Sequence, residues 1–394
     1  MNEVVIISAK RTAIGSYLGA FSDVTAVELG VTAVKAAISD AKLNPDQIDN
    51  VILGNVLSGG LGQNPARQVA IHAGIPKDKT ANVVSMVCGS GLKAVMDAAN
   101  QIRLGEAEIV VAGGMESMSN AGHILESHRS GTKMGHSQLT DTMLHDGLTD
   151  AFGGYHMGMT AENLARKREI SREQQDSFAL QSQNRAEHAI KSGRFKGEIA
   201  PHTIVSRRGE VLVDTDEFPK FGATLESISK PKPAFVRDGS GTVTAANASG
   251  LNDGAAALVL MSADKAKQLG LEPLATIVSQ AAAGVDPEVM GYAPVPASEK
   301  ALKAAGLSVS ELDLVEANEA FAAQALSVCQ GLDLNPEKTN VNGGAIALGH
   351  PIGASGARVL VTLVHELEKR NGRYGLATLC IGGGQGVALV IERK

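Results

Sequence analysis

The stretch Val87-Cys88-Gly89-Ser90-Gly91 introduces a run of apolar residues at helical spacing that ends at Gly105. A recurrence every three to four residues predicts a helix, and Gly105 fits its C-cap. The apolar pair Val83-Val84, just before the turn, predicts a strand that is buried on both faces. The stretch therefore predicts a strand, a tight glycine turn and a helix, the unit from which layered α/β folds are built.

The same unit recurs near the end of the chain. Asn55 precedes Cys88 by 33 positions, and Asn318 precedes His350 by 32. After the turn at residues 350–356, apolar residues again recur at helical spacing, from Val359 to Leu367. We interpret the two units as an internal duplication, too long in period for a solenoid repeat, with helices packed on sheets.

The middle of the chain differs from its two ends. Residues 119–249 are more polar and hold seven of the ten histidines. Ser171, with Gln174 three positions later, predicts the start of a long helix that ends before Gly193. We interpret this region as a large insertion. The predicted units are an N-terminal half (1–118 plus 251–273), an inserted loop domain (119–250) and a C-terminal half (274–394).

Composition limits the classes of function. The chain has 394 residues and a net charge of -6, which gives no reason to expect binding to nucleic acid or to an anionic membrane. Three cysteines cannot form a disulfide framework and favour a reducing compartment. The acidic first residues are not expected to form a signal peptide, and no apolar run is long enough to span a bilayer. We expect a cytoplasmic protein.

Cys88 is the candidate nucleophile. A cysteine at the start of a helix is expected to have a lowered pKa, because the helix dipole and the free N–H groups favour the thiolate. The alternative is a small buried apolar cysteine, the default for a lone cysteine. The glycines around Cys88 favour the nucleophile, since a core strand needs no such turn.

His350 and Cys380 are the other candidates. The duplication places His350 opposite Cys88, where an imidazole could take the thiol proton. Cys380 ends a predicted strand and enters Gly382-Gly383-Gly384, whose exposed N–H groups suit an oxyanion hole. A phosphate cradle lacks its Gly-Lys-Ser/Thr, and a redox dithiol lacks Cys-x-x-Cys.

Other candidates receive structural interpretations. We expect Cys329 to lie in the core and His365 on the surface. The histidines at 123, 128, 136 and 145 lack metal-ligand spacing, so no metal or other cofactor is predicted. His156-Met157, in a glycine-rich segment, is predicted to be a loop that touches a ligand.

Taken together, these motifs resemble the thiolase family, and most closely its biosynthetic members. The resemblance runs the whole length of the chain and is carried by six segments: Cys88-Gly89-Ser90-Gly91, Gly153-Gly154-Tyr155-His156-Met157-Gly158, Asn247-Ala248-Ser249-Gly250-Leu251-Asn252-Asp253-Gly254, Glu316-Ala317-Asn318-Glu319-Ala320-Phe321-Ala322, Asn342-Gly343-Gly344 through Gly349-His350-Pro351, and Cys380-Ile381-Gly382-Gly383-Gly384-Gln385-Gly386. It implies the thiolase fold, in which two similar βαβαβαββ halves form a five-layered α/β/α/β/α core with an inserted loop domain.

The resemblance also implies a reaction. Two acetyl-CoA would condense reversibly to acetoacetyl-CoA and CoA by a ping-pong mechanism through an acetyl-cysteine. Cys88 would carry the acetyl group, activated by His350, and Cys380 would move the proton of the second substrate. One oxyanion hole would combine His350 with a water held by Asn318, and the other the N–H groups of Cys88 and Gly382. A homotetramer is implied as well.

By the same resemblance, coenzyme A would lie along the inserted region. The pantetheine path would be lined by His156, Met157, Phe235, Ser249, Ala320 and Phe321, and Ala245 would also contact the substrate or coenzyme A. Leu148 and Ser227 would lie near the adenine, and Lys220 near a phosphate, where relatives often have arginine. Two departures are Ser85, where the family usually has asparagine, and Ala246, where it usually has glycine.

Three alternatives remain open. A degradative 3-ketoacyl-CoA thiolase of broader chain length is the nearest. A condensing enzyme that acts on carrier protein usually lacks the second catalytic cysteine. A non-catalytic acyl-CoA or lipid carrier on this fold would be expected to lose one of the reactive groups.

Overall fold

The structure is a computed structural model that describes residues 2–126, 128–207 and 209–394. In these residues the strands are β1 (Val4–Arg11), β2 (Gly15–Ser16), β3 (Asn50–Gly54), β4 (Thr80–Val84), β5 (Ile109–Ser117), β6 (His123–Leu125), β7 (Leu139–Asp141), β8 (His202–Ser206), β9 (Gly209–Val213), β10 (Asn252–Ser262), β11 (Ala275–Gly284), β12 (Leu314–Ala317), β13 (Tyr374–Ile381) and β14 (Gln385–Glu392). The α-helices are α1 (Ala26–Asp40), α2 (Pro65–His72), α3 (Ser90–Leu104), α4 (Met157–Lys167), α5 (Arg172–Lys191), α6 (Leu225–Ser229), α7 (Ala263–Leu269), α8 (Pro294–Ala305), α9 (Ala322–Leu332), α10 (Ala345–Leu348) and α11 (Ile352–Arg370).

Two sheets of the same topology form the scaffold. The first has the order β4-β3-β5-β10-β1, in which β3 is parallel to both β4 and β5 and the other neighbours are antiparallel. The second has the order β12-β13-β14-β11, with β12 parallel to β13. Next to β12, a single parallel bridge between Val315 and Thr339 takes the position that β4 has next to β3 in the first sheet. The duplication predicted from the sequence is confirmed, and a short β1–β11 pairing joins the two sheets.

The layers follow from which helices cover which face. Helices α3 and α11 pack against each other and fill the centre, where they share one apolar cluster with strands of both sheets. Helices α1 and α2 cover the outer face of the first sheet, and α8 and α9 that of the second. This gives the predicted order α/β/α/β/α.

The inserted region lies across the second half. Its long helix α5 packs on α9 and α10, and α4 packs on α9. The predicted start of α5 is confirmed, because Ser171 and Gln174 form a reciprocal capping box. The boundaries at 118, 250 and 273 stay a prediction. Within the described part of the chain, no helix is both long and apolar enough to cross a membrane.

Two expectations are wrong. Strand β4 is the edge of its sheet and is partly exposed, so Val83-Val84 is not buried on both faces. His365 is buried, and its Nε2 lies 2.7 Å from the carbonyl oxygen of Ala9. It lies on α11, whose residues 352–367 are buried without interruption because both sheets surround the helix.

Candidate active site

A strained turn presents Cys88 between β4 and α3. Val87 has φ of 44°, a left-handed conformation that is costly for a β-branched residue. The Ser90 hydroxyl holds the turn, because it donates to the carbonyl of Val87 (2.7 Å) and accepts the N–H of Met86 (2.7 Å). The predicted turn is confirmed, and it fixes the direction of the Cys88 side chain.

The resting charge of Cys88 differs from the prediction. Burial raises the pKa of its thiol to about 11, although the backbone N–H groups of Gly382 and of Cys88 itself act in the other direction. The expectation of a thiolate stabilised by the helix start is therefore wrong for the resting site. The cost of desolvating a charge exceeds what two N–H groups return. A base is needed to take the proton.

His350 is the candidate for that base, and its surroundings fix which ring nitrogen can accept a proton. Its Nδ1 lies 2.6 Å from the Ser355 hydroxyl, which donates its own proton to the carbonyl of Pro351 (2.9 Å). Ser355 must therefore accept from Nδ1–H, which leaves Nε2 as the basic nitrogen. Burial, together with the positive charge of Arg358, lowers the pKa of His350 to about 3, so the imidazole is neutral at pH 7.

Asn318 and Asn252 complete the surroundings of the imidazole. Asn318 Nδ2 lies 3.4 Å from His350 Nε2, whereas Asn318 Oδ1 is buried and has no partner among the described residues. The backbone N–H of His350 donates to Asn252 Oδ1 at 2.9 Å. An unpartnered buried carbonyl favours an ordered water at this point.

Cys380 is buried at the end of β13 and faces Cys88. Burial raises the pKa of its thiol well above the ordinary value, and a charge on Cys88, when that thiol ionises, raises it further. The N–H of Gly382, two residues later, interacts with the Cys88 thiol. Gly383 and Gly384 have φ of 86° and 84°, conformations that favour glycine. The two cysteines, nearly three hundred positions apart, therefore share one site.

Glycines bring the two halves together at this site. A Cβ at Gly91 of α3 would lie 2.7 Å from the backbone nitrogen of Ala357 in α11. A Cβ at Gly356 of α11 would overlap the backbone of Leu92 in α3. The first turns of the two central helices thus touch through their backbones, and each of these helix starts directly follows a turn that carries a candidate residue, Cys88 or His350.

An aromatic wall extends from Cys380 into the inserted region. His156 stacks on Phe235 at 4.7 Å between ring centroids, and Phe235 meets Phe321 edge-on at 6.4 Å. Met157, Ala320 and Cys380 belong to the same apolar cluster. His156 is the N-cap of α4 and Met157 its first residue, so the predicted loop is a helix start.

The other predicted coenzyme residues lie in different places. Ser249 donates its N–H to the carbonyl of Ala320 (2.9 Å), and Ala245 is exposed nearby in the chain. Leu148 packs against an apolar cluster that Cys88 also contacts. Lys220 and Ser227 are exposed, and the Ser227 hydroxyl donates to the carbonyl of Thr224 at the start of α6.

Some neighbours of the site were not found from the sequence. Ser355, Asn252 and Glu116 contact the turn around His350, yet none was assigned a role. The spacing of Ser355, five positions after His350, is the one signal in the sequence that could have suggested its role. Cys329 is partly buried against the apolar cluster of the second half, as expected for a core residue. In the described ranges no group of three or more His, Cys, Asp or Glu side chains could hold a metal ion.

Two family models match the chain. The thiolase N-terminal domain matches residues 4–264, and the thiolase C-terminal domain matches residues 271–393. The acetyl-CoA acetyltransferase of Cupriavidus necator is 59% identical, with 100% of both chains covered. That of Rhizobium meliloti is 58% identical over 99% of this chain and 98% of its own.

A solved structure is similar over its whole length. The crystal structure of the Bacillus anthracis acetyl-CoA acetyltransferase has a TM-score of 0.98 and 48% sequence identity, and the match covers 100% of this chain and 99% of that chain. The fold class predicted from the sequence is therefore confirmed.

Proposed function

Because this chain belongs to the thiolase family, we propose that it is an acetyl-CoA C-acetyltransferase, an acyltransferase that condenses two acetyl-CoA to acetoacetyl-CoA and CoA. One observation carries the proposal: a second thiol, Cys380, lies close enough to Cys88 for the charge of one to raise the pKa of the other. Hydrolysis needs one nucleophile, whereas carbon–carbon bond formation needs an acyl carrier and a separate carbanion base.

In the first half-reaction, Cys88 becomes acetylated. His350 Nε2 takes the thiol proton as the sulfur attacks the thioester carbon. The tetrahedral intermediate then expels the sulfur of CoA, and the proton on His350 leaves with it as CoA thiol. A neutral imidazole with its Nδ1–H fixed on Ser355 supports this role, since its Nε2 is free to accept.

In the second half-reaction, His350 Nε2 takes the thiol proton of Cys380, and the resulting thiolate removes a proton from the methyl group of a second acetyl-CoA. The carbanion attacks the acetyl carbonyl on Cys88, the carbon–sulfur bond breaks, and the released sulfur of Cys88 takes the proton held by His350, so that all three side chains return to their starting states. The raised pKa of Cys380 supports this role, because a thiolate of high pKa is a stronger base toward a carbon acid. In the reverse direction Cys380 is the acid.

Two oxyanion sites would stabilise the negative charges. The N–H groups of Cys88 and Gly382 already interact with the Cys88 sulfur and would receive the oxygen of the acetyl group. Once His350 Nε2 carries a proton, it would donate to the other thioester oxygen, together with a water bound to Asn318 Oδ1. Preorganised donors of this kind are each worth about a hundredfold to a thousandfold in rate.

Coenzyme A would run along the aromatic wall. His156, Phe235 and Phe321 would contact the pantetheine, beside Met157, Ser249, Ala245 and Ala320. The exposed ammonium of Lys220 would meet a phosphate, and Ser227 and Leu148 the adenine. We also propose a homotetramer in the cytoplasm, on the resemblance alone. Light scattering coupled to gel filtration tests the oligomeric state.

The proposal is tested by incubation with acetyl-CoA and mass analysis of the cysteine peptides. We expect one acetyl group on Cys88 in the wild type. The C380S variant should still take up the acetyl group but form no acetoacetyl-CoA, because only its carbanion base is lost. C329S is the matched control and should do both. Absence of the adduct on Cys88 in the wild type would show that the assignment is wrong.

A degradative thiolase of broad chain length is the second candidate. Met157 argues against it, because its sulfur would be 3.3 Å from a Cβ at Gly382 and so lies beside the glycine whose N–H interacts with the Cys88 thiol. Bulk at that point favours a short acyl group. Thiolysis rates on acetoacetyl-CoA and 3-ketohexadecanoyl-CoA decide between the two, and a faster rate on the long chain would favour the degradative enzyme.

A further inference from the structure

Glu116 is a fully buried carboxylate at the end of β5 that the proposed reaction does not use. Its two oxygens accept four hydrogen bonds: from Asn55 Nδ2 (2.8 Å), Val56 N (3.0 Å), Leu57 N (3.2 Å) and Gly353 N (2.9 Å). No lysine or arginine is among these partners. Burial raises the pKa of the Glu116 carboxyl to about 7, although the N–H groups of Val56, Leu57 and Gly353 act in the other direction. Four N–H donors require a group that only accepts, and this geometry favours the ionised carboxylate.

The four donors belong to different halves of the molecule. Asn55, Val56 and Leu57 follow β3 in the first half, whereas Gly353 lies in the first turn of α11, three residues after His350. A negative charge is favourable at the start of a helix, where free N–H groups point outward. Glu116 therefore ties the turn that carries His350 to the half that carries Cys88.

The backbones at this tie are in close contact. A Cβ at Gly54 would lie 2.6 Å from the carbonyl oxygen of Gly353, and one at Gly114 would overlap the same oxygen. A Cβ at Gly353 would lie 2.6 Å from Glu116 Oε2. Since the first turn of α11 is in contact with the ends of β3 and β5, a shift at Glu116 would move the turn and His350 with it.

The duplication gives Glu116 a counterpart in the second half. Gly54 pairs with Gly114 in the first sheet, and Ala317 pairs with Thr378 in the second. The first member of each pair is followed in the sequence by the asparagine of its unit: Gly54 by Asn55, and Ala317 by Asn318. Glu116 lies two positions after Gly114, and Cys380 lies two positions after Thr378.

The antiparallel neighbours agree with this correspondence. Glu116 lies opposite Gly254, and Cys380 lies opposite Gly386. Each of the two side chains ends a strand and faces the first turn of the helix from the other half: Glu116 faces Gly353 of α11, and Cys380 faces Cys88 before α3. One copy of the position carries a thiol at the reacting centre, and the other carries a carboxylate that binds backbone N–H groups.

We propose that Glu116 is a positioning residue for acyl transfer, whose carboxylate fixes the first turn of α11, and through it His350, against the half that carries Cys88. The inference rests on the proposed function, which it extends by one residue. Glu116 touches no reacting atom in this scheme. It acts through His350.

The E116Q variant tests the proposal. Its amide replaces one acceptor oxygen by an NH2 group. Each oxygen of Glu116 accepts two of the four hydrogen bonds, so the NH2 group would face two N–H donors in either orientation. We expect kcat for acetyl-CoA condensation, and the rate of Cys88 acetylation, to fall by at least about tenfold, because small misplacements of a base cost that much or more. KM for acetyl-CoA should change little, since the coenzyme path lies elsewhere.

E366Q is the matched control. Glu366 is also buried and lies on the same helix, but at its far end, where it binds Arg194, Arg370 and Asn342. It should lose thermal stability with kcat close to that of the wild type. A kcat that falls no further in E116Q than in E366Q overturns the proposal, as does a rise in KM with kcat unchanged.

A second variant covers the case in which E116Q fails to fold. N55A removes only one donor to the carboxylate and should lower kcat in the same direction by a smaller factor; full kcat in a folded N55A overturns the proposal. Wild-type enzyme that takes up no acetyl group overturns the proposed function and this inference with it. An acetylated wild type beside an E116Q that reacts equally fast overturns the inference alone.

Discussion

At the scale of single residues, burial decides the resting state of the site. Cys88 and His350 are both neutral before substrate arrives, because the desolvation cost of an ion pair exceeds the support from nearby N–H groups. The identities of the two residues could be predicted from their glycine-rich turns. Their charge states could not, since desolvation depends on which elements cover the site, and those come from distant parts of the chain.

Alkylation of Cys88 should therefore depend steeply on pH. Iodoacetamide reacts with the thiolate, and a thiol pKa of about 11 leaves little thiolate at pH 7. Because His350, with a pKa of about 3, stays neutral above pH 5, it supplies no cation to stabilise the thiolate. We expect the rate to rise from pH 6 to pH 10 without a plateau. Mass analysis that resolves the three cysteines measures it, and a plateau below pH 8 would contradict a neutral resting pair.

Ser355 is expected to control the tautomer of His350. In S355A the Nδ1–H loses its acceptor, so the ring can place its proton on Nε2, where it cannot accept the proton of Cys88. Loss of the hydrogen bond that orients a metal-binding histidine costs about tenfold to a hundredfold in activity, and the same kind of orientation is lost here. We expect kcat for thiolysis of acetoacetyl-CoA to fall in this range.

S327A provides the control for Ser355. Ser327 is equally buried and donates to the carbonyl of Gln324 within its own helix, α9, as Ser355 donates to Pro351 at the start of α11. Its replacement by alanine should leave kcat unchanged. If S355A were as active as S327A, the histidine would not depend on this hydrogen bond.

At the scale of elements, local sequence signals predicted where helices begin and end, but they did not predict which strands and helices would cover an element. The capping box of Ser171 and the glycine C-cap at Gly105 mark α5 and α3 correctly, because capping is decided within a few residues. The position of β4 at the edge of its sheet and the burial of His365 were missed. Both depend on which strands and helices meet in space, and an apolar pair or a lone histidine carries no information about that.

The crossing of α3 and α11 gives a prediction at this scale. In G356A the new methyl group would overlap the backbone of Leu92, which cannot rotate away as a side chain could. We expect the free energy of unfolding to fall by about 1–3 kcal/mol, as overpacking does elsewhere, and the acetylation rate of Cys88 to fall as the helices separate. Denaturant titration and a timed acetylation assay measure the two effects.

Gly59 offers the comparison for Gly356. It lies in an exposed loop, and a Cβ there would meet no atom within 4 Å. G59A should therefore match the wild type in both assays. Equal stability of G356A and G59A would mean that the two central helices adjust to the extra methyl group without cost.

At the scale of the whole molecule, the duplication explains how residues so distant in sequence form one site. Each half places a turn at the start of its central helix and a side chain at the end of the neighbouring strand. The turn of one half meets the strand end of the other, as Cys88 meets Cys380 and Gly353 meets Glu116. Spacing within the sequence predicted the two units. It could not predict that the turn of one half contacts the strand end of the other, because this contact arises only when the halves pack through α3 and α11.

The same packing implies that the C-terminal half does not fold alone. Helix α11 is buried from residue 352 to residue 367, and α3, β5 and β10 of the first half supply part of its cover. A fragment of residues 271–394 would expose that apolar surface to water, at a cost of about 25 cal/mol per Å². We expect the isolated fragment to show poorly dispersed amide resonances and no cooperative thermal transition. Co-expression with residues 1–270 should restore both, since the missing cover returns. A well-dispersed spectrum of the fragment alone would mean that the second sheet and its outer helices suffice to stabilise α11.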